Sequence, residues 1–504
     1  MRNLGASFAR ILTGTVALAT LCAAVLAWIH LSKPFDPDQE PALVVPAAVG
    51  VQVPASRGGL VTVLTYHAVS DNSAALTTVS RTLFAEHLAT LHSSGYRTVR
   101  LADVQKLVNG QPVDLPPRAL LLTFDGGSIT DWVTVDPMLE RYGYTAVAFL
   151  TTGRIVRAGT PSPYLSTRQI TRLRDTGRWD FGSRSHAADV PTAIPGNIRP
   201  PLANRILHEG RQETLDQWRA RVRADLATTQ GFFKQVLGRP ADTFAYPYGD
   251  FGDRANDPAI TLELPMLLAE AGFRYGFAGE AVPTRHVDAL DATSDRLRLP
   301  RIGLRASTST ARLLDWINRG VPAPLRTDLA DLDWEVASAD PSLVTTTPTT
   351  CQVNAQEVTV IGKVDGLCED PEINTTGWRN YALTTRVHAD ANCLATVQVR
   401  TGIGASHHGQ VEVAIGTSSM SIRQRVLDEP EQLLAGGRIP PSVSRQLHIT
   451  VRGNAISASV DGASPIRAAI DRRLASGGVA LGLQGGGACA VTFSTPRLAP
   501  LPSR

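Results

Sequence analysis

The chain has 504 residues, which is long enough for two or three domains that each bury a sizeable core. Charged residues make up 19% of the chain and hydrophobic residues 43%, which excludes a largely disordered or wholly membrane-embedded protein. The formal net charge is +3 and no dense basic stretch with interleaved aromatic residues occurs, so we expect no nucleic-acid partner.

The N-terminus carries a membrane-targeting pattern. Residues 11–29 are almost uninterruptedly apolar, Arg2 and Arg10 precede them, and the first acidic residue is Asp36. This run is nearer the roughly 20 residues of a spanning helix than the roughly 7–15 of a cleaved signal, which is the alternative. We therefore expect a transmembrane signal anchor in residues 1–32 and a single pass through the cell membrane, with the bulk of the chain outside the cytoplasm.

After the proline-rich residues 33–59, which predict an extended tether, strand and helix patterns alternate over residues 60–324. The alternation predicts an α/β domain with a parallel barrel or sheet, whose functional site lies at the carboxyl ends of the strands. Residues 99–108 are interpreted as a short connector. Strands are predicted at 61–67, 119–124, 146–150, 179–182, 244–246 and 275–277, and the edge of another at 299–302.

Three of these strands end in polar, aromatic or glycine residues. The apolar run 121–124 ends at Asp125, and two glycines follow it. The segments WDFGSRSHAAD (179–189) and FAYPYGD (244–250) continue two later strands. Together these segments resemble the polysaccharide deacetylase family, whose members remove acetyl groups from glycans with a divalent metal. The resemblance covers about residues 61–317 and implies a distorted (β/α) barrel.

The resemblance also assigns roles to residues of this chain. Asp125 matches the family's base, and the arginine in a late family segment like Pro300-Arg301-Ile302 holds that base. His67 belongs to a Tyr-His pair often found at the end of the first strand. The catalytic candidates are therefore Asp125, His67 and Arg301. The candidates for substrate and oxyanion contacts lie in the aromatic-proline turn, at Tyr246, Pro247 and Tyr248.

The chain departs from the family at the metal ligands, which are a second aspartate and two histidines. Gly126 stands at the aspartate position, Arg184 at the first histidine position and Asp189 at the second. Glycine has no ligand atom, and arginine is a permanent cation without a lone pair to donate. An alternative role for Asp125 is to neutralise Arg184 or Arg301 across the barrel mouth.

Three alternatives remain open for this site. Asp189, Asp125 and His186 hold a zinc, manganese or other divalent ion in a rebuilt site. Arg184 instead replaces the metal electrostatically, or the barrel keeps its groove and has lost hydrolysis. We favour the last, because lost metal ligands remove a large catalytic contribution. We accordingly expect either no metal or a weakly bound divalent one.

Residues 325–350 read as a second linker, acidic and then threonine-rich, and the pattern changes after it. From 351 to 500, period-2 strands separated by Gly, Asn and Asp turns predict an all-β antiparallel sandwich. Its pattern resembles a concanavalin-type or laminin-G-type jelly roll. Sugar binding by this domain would need exposed aromatic residues, for which Trp378 and Tyr381 are the candidates.

Four cysteines lie in the predicted sandwich, which indicates two disulfides in an exported domain. Three connectivities are possible. Proximity in sequence favours Cys351 with Cys368, which leaves Cys393 for Cys489.

The sequence thus predicts a membrane-anchored, exported protein that acts on or binds an N-acetylhexosamine-containing surface or matrix polysaccharide. The alternatives are an active metal-dependent N-deacetylase and a non-catalytic adhesion or scaffold protein, with a membrane polysaccharide synthase as a partner.

Overall fold

The computed structural model describes residues 58–195, 197–279, 287–330, 332–336, 349–354, 356–363, 365–370, 373–375, 377–401, 409–426 and 429–502. The predicted signal anchor and all but the last two residues of the predicted tether lie outside these ranges. Within them, no helix combines the length and apolar character that a membrane span requires.

The first half of the described chain alternates strands with helices, as the sequence predicts. Its strands are β1 (Val61–Tyr66), β2 (Ala119–Gly126), β3 (Ala146–Leu150), β4 (Trp179–Ser183), β5 (Thr243–Ala245), β6 (Tyr275–Phe277) and β7 (Ile302–Gly303). Its helices are α1 (Arg81–Ser93), α2 (Leu101–Val108), α3 (Asp136–Tyr142), α4 (Thr167–Asp175), α5 (Leu215–Leu237), α6 (Pro258–Glu270) and α7 (Thr310–Arg319). A π-helical turn, Asp131–Val135, leads into α3.

These strands form one parallel sheet in the order β6-β5-β4-β3-β2-β1-β7, and the two-residue strand Arg97–Thr98 also pairs with β2. The other strands of this half are short and form three separate pairs: Ala68–Val69 with Thr78–Val79, Thr192–Ile194 with Asn197–Arg199, and Leu207–His208 with Arg211–Gln212. Leu299 forms a parallel bridge with Phe277 in β6, and three residues later Ile302 pairs with Leu64 in β1. The segment 299–303 therefore contacts both edges of the sheet and curls it into a barrel. The predicted α/β barrel architecture is confirmed.

Alternation along the strands separates two hydrophobic cores. One core lies between the sheet and the helices and includes Leu122 and Phe124 of β2. The other fills the barrel interior and includes Leu121 of β2 and Phe149 of β3. Because side chains alternate between faces, Asp125 belongs to the interior face with Leu121.

Residues 99–108, interpreted as a connector, instead contain helix α2. Leu101, Val104, Leu107 and Val108 are buried, so they form the apolar face of an amphipathic helix. Asp103 accepts a hydrogen bond from the backbone N–H of Arg100 at 3.0 Å, which satisfies a backbone donor at the start of the helix. The connector interpretation was wrong because this face spans little more than two turns.

The second half of the described chain is an antiparallel sandwich, which confirms the all-β prediction. Its strands are β8 (Glu335–Val336), β9 (Thr350–Asn354), β10 (Glu357–Gly362), β11 (Gly366–Glu369), β12 (Tyr381–Ala389), β13 (Cys393–Thr401), β14 (Gly409–Ile415), β15 (Ser419–Val426), β16 (Gln432–Arg438), β17 (Ser444–Arg452), β18 (Ala455–Val460), β19 (Ile466–Ala469), β20 (Gly478–Gly485) and β21 (Cys489–Pro500). One sheet has the order β8-β11-β20-β13-β14-β15-β16 and the other β9-β10-β21-β12-β17-β18-β19.

Part of the segment predicted as the linker 325–350 packs on the sandwich. Leu329 and Trp334 are buried in the sandwich core, and β8 pairs with β11. Trp378 and Tyr381, the two aromatic residues considered for sugar binding, are also buried in this core. Neither side chain therefore forms an exposed stacking surface, and the adhesion interpretation based on them is wrong.

Both predicted disulfides are present. Cys351 bonds to Cys368 with a Cα–Cα distance of 5.9 Å, and Cys393 bonds to Cys489 with a Cα–Cα distance of 6.2 Å. The second bridge joins the start of β13 to the start of β21, which lie in different sheets. This bridge therefore fastens the two layers of the sandwich together.

Candidate active site at the barrel mouth

The parallel register brings the polar strand ends together. Asp125 pairs with Phe149, and Gly126 pairs with Leu150. Leu150 pairs in turn with Ser183, and the backbone N–H of Arg184 donates to the carbonyl of Leu150 at 2.8 Å. Asp125 and Arg184 therefore lie at the same end of the barrel, although 59 positions separate them in sequence.

Asp125 is the acceptor for two buried arginines. Arg301 donates to it through both terminal nitrogens, from Nη1 to Oδ1 at 2.8 Å and from Nη2 to Oδ2 at 3.0 Å. Arg184 donates from Nη1 to Oδ2 at 3.1 Å. All three residues are at most 4% exposed. The cluster holds two guanidinium cations on one carboxylate, with the second oxygen shared between them.

Arg184 is positioned by a close approach of two strands. A Cβ atom at Gly182 would lie 2.5 Å from the ring of Phe149, so only glycine fits beside this barrel-interior ring. The backbone N–H groups of His186 and Ala187 then donate to the two carboxylate oxygens of Asp225 at 2.9 and 2.8 Å. Burial raises the pKa of Asp225, against the opposing effect of these two hydrogen bonds.

Asp189 and His186, the two possible metal ligands, have other partners. Asp189 Oδ2 accepts from Thr151 Oγ1 at 3.1 Å and pairs with Arg154 Nη2 at 3.1 Å. His186 Nδ1 lies 3.1 Å from Thr152 Oγ1. Over the described ranges, no three His, Cys, Asp or Glu side chains are grouped so as to hold a metal ion.

Gly126 adopts a backbone conformation that explains the residue type. Its φ angle is +98°, a region that residues with a side chain rarely occupy. A Cβ atom there would meet no other atom within 4 Å, so the constraint comes from the backbone and not from space.

The aromatic-proline turn borders the arginine cluster. Tyr246 is fully buried and its backbone N–H donates to the carbonyl of Phe277 at 3.0 Å. Pro247 begins a short 3₁₀ turn, and Tyr248 within it has a φ of +59°. Tyr248 is 44% exposed, its hydroxyl donates to the Asp189 carbonyl at 3.1 Å, and the Arg184 guanidinium lies 6.0 Å from its ring centroid. A strained aromatic residue beside a charged cluster is typical of functional sites.

His67 directly follows β1 and is partly buried. The pairing of Tyr66 with Phe124 places it at the same end of the sheet as Asp125. Tyr66 itself faces the helices, where its hydroxyl lies 3.1 Å from His87 Nδ1. Burial lowers the pKa of His87 to about 4, so this histidine is neutral at physiological pH and structural in role.

Sequence reasoning missed Arg154 and Asp131. Arg154 pairs with Asp189 and follows β3 by four residues, so its place after a strand end was the available signal. Asp131 is fully buried at the start of the π-helical turn, and neither carboxylate oxygen has a hydrogen-bond partner among the described residues. Burial, and secondarily the charge of Asp125, raise the pKa of Asp131 well above its ordinary value.

Comparison with known proteins agrees with the motif resemblance. Residues 113–267 match the sequence model of the polysaccharide deacetylase family. A poly-β-1,6-N-acetyl-D-glucosamine N-deacetylase of Staphylococcus epidermidis is 24% identical over 202 residues, which are 40% of this chain and 60% of that protein. The protein of the same name from Escherichia coli K12 is 25% identical over 239 residues, which are 44% of this chain and 35% of that protein.

The chain therefore spans less than two thirds of the length of either curated relative. Among solved structures, a de-N-acetylase from Aggregatibacter actinomycetemcomitans is 22% identical, with a TM-score of 0.43, over 51% of this chain and 99% of that chain.

Proposed function

From the polysaccharide deacetylase domain that the chain carries, we propose that the barrel mouth recognises an N-acetylated polysaccharide of the poly-N-acetylglucosamine class without metal-dependent hydrolysis. The polymer class comes from the two curated relatives, which are both poly-β-1,6-N-acetyl-D-glucosamine N-deacetylases. The observation that carries the loss of hydrolysis is the Arg184 guanidinium, bonded to Asp125 at 3.1 Å while Arg301 holds both oxygens of that carboxylate.

A divalent cation does not fit these residues. A metal near Asp125 would meet the fixed positive charge of Arg184, which has no lone pair to offer it. Gly126 contributes no ligand atom, and Asp189 Oδ2 is already shared by Arg154 and Thr151. Asp125 is itself committed to two guanidinium groups, so its use as a free base would require one of these pairs to break.

Recognition of a glycan is supported by the surroundings of Tyr248. Its exposed ring lies at the edge of the arginine cluster, and its position depends on a hydrogen bond to the backbone of Asp189. A rigid, exposed aromatic ring can stack on the face of a sugar.

A second candidate function is metal-dependent deacetylation in a rebuilt site. Its support is one buried oxygen, Asp189 Oδ1, which has no hydrogen-bond partner among the described residues. A buried carboxylate oxygen without a hydrogen-bond partner is unusual, and a bound cation would provide a partner for it.

Elemental analysis and an acetate-release assay separate the two functions. We expect the dialysed full-length chain to retain no stoichiometric zinc, manganese or cobalt and to release no acetate from N-acetylglucosamine oligomers. It should still bind these oligomers in calorimetry. Metal that survives dialysis and is lost in Asp189→Ala would overturn the proposal in favour of the second candidate.

Tyr248 provides a matched pair of variants for glycan binding. Tyr248→Ala removes the ring, whereas Tyr248→Phe keeps it and loses only the hydroxyl. We expect oligomer binding to weaken by about tenfold in the alanine variant and by much less in the phenylalanine variant, because stacking supplies most of the contact. Equal binding by all three proteins contradicts recognition at this mouth.

Restoration of the ligands tests whether the mouth has kept its substrate geometry. The triple variant Gly126→Asp, Arg184→His and Asp189→His should gain metal binding and acetate release. Space at Gly126 is open, but the φ of +98° imposes a strain of roughly 1–2 kcal/mol on the new side chain. A variant that takes up metal and neither binds nor cleaves the oligomers would remove glycan from the proposal.

Membrane anchoring is a further part of the proposal, and it rests on the apolar residues 11–29 and the arginines that precede them. The full-length chain should stay in the membrane fraction after alkaline carbonate extraction, with the barrel accessible to protease from outside. A membrane anchor would keep the protein close to a membrane polysaccharide synthase, which we propose as its partner. Co-purification of such an enzyme with the anchored protein tests this proposal.

A further inference from the structure

The outer face of the sandwich carries a groove of about 610 Å³ across β17, β18 and β19. The strand register places the residues that line the groove in two rows, and each row crosses the three strands. Thr450 pairs with Ser457, which pairs with Arg467. The neighbouring row joins Arg452, Ala455 and Ala469. These six residues, named here the arginine groove, present two guanidinium groups at opposite corners around hydroxyls and small side chains.

Within the described part of the chain, no acidic group neutralises the arginine groove. Neither Arg452 nor Arg467 forms a side-chain hydrogen bond or ion pair with any described residue, and no residue that lines the groove is acidic. Several other arginines of the sandwich differ in this respect: Arg423, Arg425, Arg445 and Arg473 all have acidic partners.

A buried arginine at the same end of the sandwich adds a second observation. Arg400 is fully buried, and its Nε and Nη1 atoms have no hydrogen-bond partner among the described residues. Its Nη2 atom donates to the carbonyl of Gly453, the residue next to Arg452, at 3.2 Å. Burial, and then the nearby positive charge of Arg379, lower the pKa of Arg400. The Arg400 guanidinium lies 6.0 Å from the ring centroid of Tyr381, but it forms no ion pair with a described acidic residue. An anion bound close by would therefore reduce the cost of burying this cation.

We propose that the arginine groove binds an anionic polysaccharide, with Arg452 and Arg467 contacting separate acidic groups. The two arginines lie two strands apart and two residues out of line. Their Cα atoms are therefore about 12 Å apart, at a strand spacing of about 4.8 Å and a rise of about 3.4 Å per residue. Two acidic groups spaced along an extended saccharide chain match this separation, so each arginine can contact an acidic group of its own.

The lining residues favour a saccharide over other polyanions. No aromatic residue lines the groove, so nucleic-acid bases have no surface on which to stack. None of the large hydrophobic residues that are exposed elsewhere on the described surface lies in it, so it has no apolar anchor for a membrane. Hydroxyl groups and small side chains between two guanidinium groups instead suit a hydroxyl-rich chain that carries carboxylate or sulfate groups.

This ligand differs from the polymer proposed for the barrel. Poly-N-acetylglucosamine is neutral, and its deacetylated form is cationic, so two unpaired arginines disfavour the deacetylated form. The sandwich would thus hold the protein on one type of glycan while the barrel engages another.

Calorimetry on the full-length chain in a non-ionic detergent tests the inference. The probes are oligogalacturonate for carboxylate groups, dextran sulfate for sulfate groups, N-acetylglucosamine oligomers, single-stranded DNA and phosphatidylglycerol vesicles. We expect one or both anionic saccharides to bind. The variant Arg452→Ala/Arg467→Ala should weaken that binding by about tenfold or more, since it removes two charge-assisted contacts.

Arg386→Ala is the matched control. Arg386 is exposed on β12 of the same sheet and pairs with Gln446, well away from the groove along β17. We expect this variant to bind the anionic saccharides as the unchanged protein does. The inference is overturned if neither anionic saccharide binds, or if the control loses as much affinity as the double variant. It is also overturned if DNA or the vesicles bind more tightly with the same dependence on Arg452 and Arg467.

Discussion

At the residue scale, the main feature of the barrel mouth is that two positively charged guanidinium groups contact the single carboxylate of Asp125. Two buried arginines, Arg184 and Arg301, both pair with this carboxylate, so Asp125 is a shared partner of the cluster. The strand-end motif predicted Asp125, and the late segment predicted its contact with Arg301. The contact with Arg184 was only one of several alternatives, because whether two strand ends meet depends on the register between strands.

The two arginines should differ in their contribution to stability. Arg301→Met breaks a bidentate pair and leaves Asp125 with a single partner, and we expect it to lower the free energy of unfolding by about 3–5 kcal/mol. Arg184→Met removes only one of the hydrogen bonds to Asp125, of 3.1 Å, and leaves the bidentate pair of Arg301, so we expect a smaller loss, of about 1–3 kcal/mol. Urea denaturation measures both variants. A loss for Arg184→Met that equals or exceeds that for Arg301→Met contradicts this ranking.

Asp131 should make stability depend on pH. Its pKa is raised in the folded protein from an ordinary value of 3.8, so above that value the folded state keeps a proton that the unfolded state has lost. The free energy of unfolding therefore falls as pH rises through this window, by up to about 1.4 kcal/mol per pH unit. Asp131→Asn cannot titrate, and we expect its stability relative to the unchanged protein to increase with pH from about 4 upward.

Denaturation at a series of pH values gives this difference directly. Asp114→Asn is the matched control, because it makes the same substitution at an exposed position. Parallel profiles for the unchanged protein and Asp131→Asn would show that Asp131 has an ordinary pKa.

At the element scale, the sequence predicted most strands that bury one or both faces and missed those that do not. Strand β2 is buried throughout, and β12 alternates clearly between buried and exposed positions. Strand β16 has no fully buried residue, so it lacks the hydrophobic alternation on which a prediction depends. The sequence predicted residues 299–302 as the edge of a strand, but the closure of the barrel by segment 299–303 depends on contacts with β1 and β6, which are distant in sequence.

The two disulfides should stabilise the sandwich unequally. The bridge Cys351–Cys368 spans 17 positions and the bridge Cys393–Cys489 spans 96. In the chain-entropy model these loops correspond to about 3 and about 4.7 kcal/mol, because a longer loop restricts the unfolded chain more. The double variant Cys393→Ser/Cys489→Ser should therefore unfold at a lower temperature than Cys351→Ser/Cys368→Ser. The reverse order in calorimetry would show that contacts in the folded state, and not loop length, decide the effect.

At the scale of the whole molecule, the barrel and the sandwich have separate hydrophobic cores. The buried clusters of the barrel and the cluster of the sandwich share no residue among those described. The sequence predicted this division from the change of pattern near residue 350. The predicted linker, residues 325–350, was too long. Leu329 and Trp334 lie within it but belong to the sandwich core, through contacts with residues distant in sequence.

Polar contacts connect the two parts just after α7. Asn374 Nδ2 donates to the carbonyl of Gly320 at 2.7 Å, and Trp378 Nε1 donates to the carbonyl of Ala323 at 3.1 Å. Contacts of this kind orient two domains without merging their cores. Cooperative unfolding of the pair as one unit would need a larger shared apolar surface.

We therefore expect calorimetry of the full-length chain to show two transitions, and reduction to move only one of them. All four disulfide-bonded cysteines lie in the sandwich, so a reductant should lower the temperature of the sandwich transition by several degrees and leave the barrel transition in place. A variant with these four cysteines changed to serine is the control and should not respond to the reductant. If the reductant shifts both transitions together in the unchanged protein, the contacts at Gly320 and Ala323 couple the domains far more strongly than their number indicates.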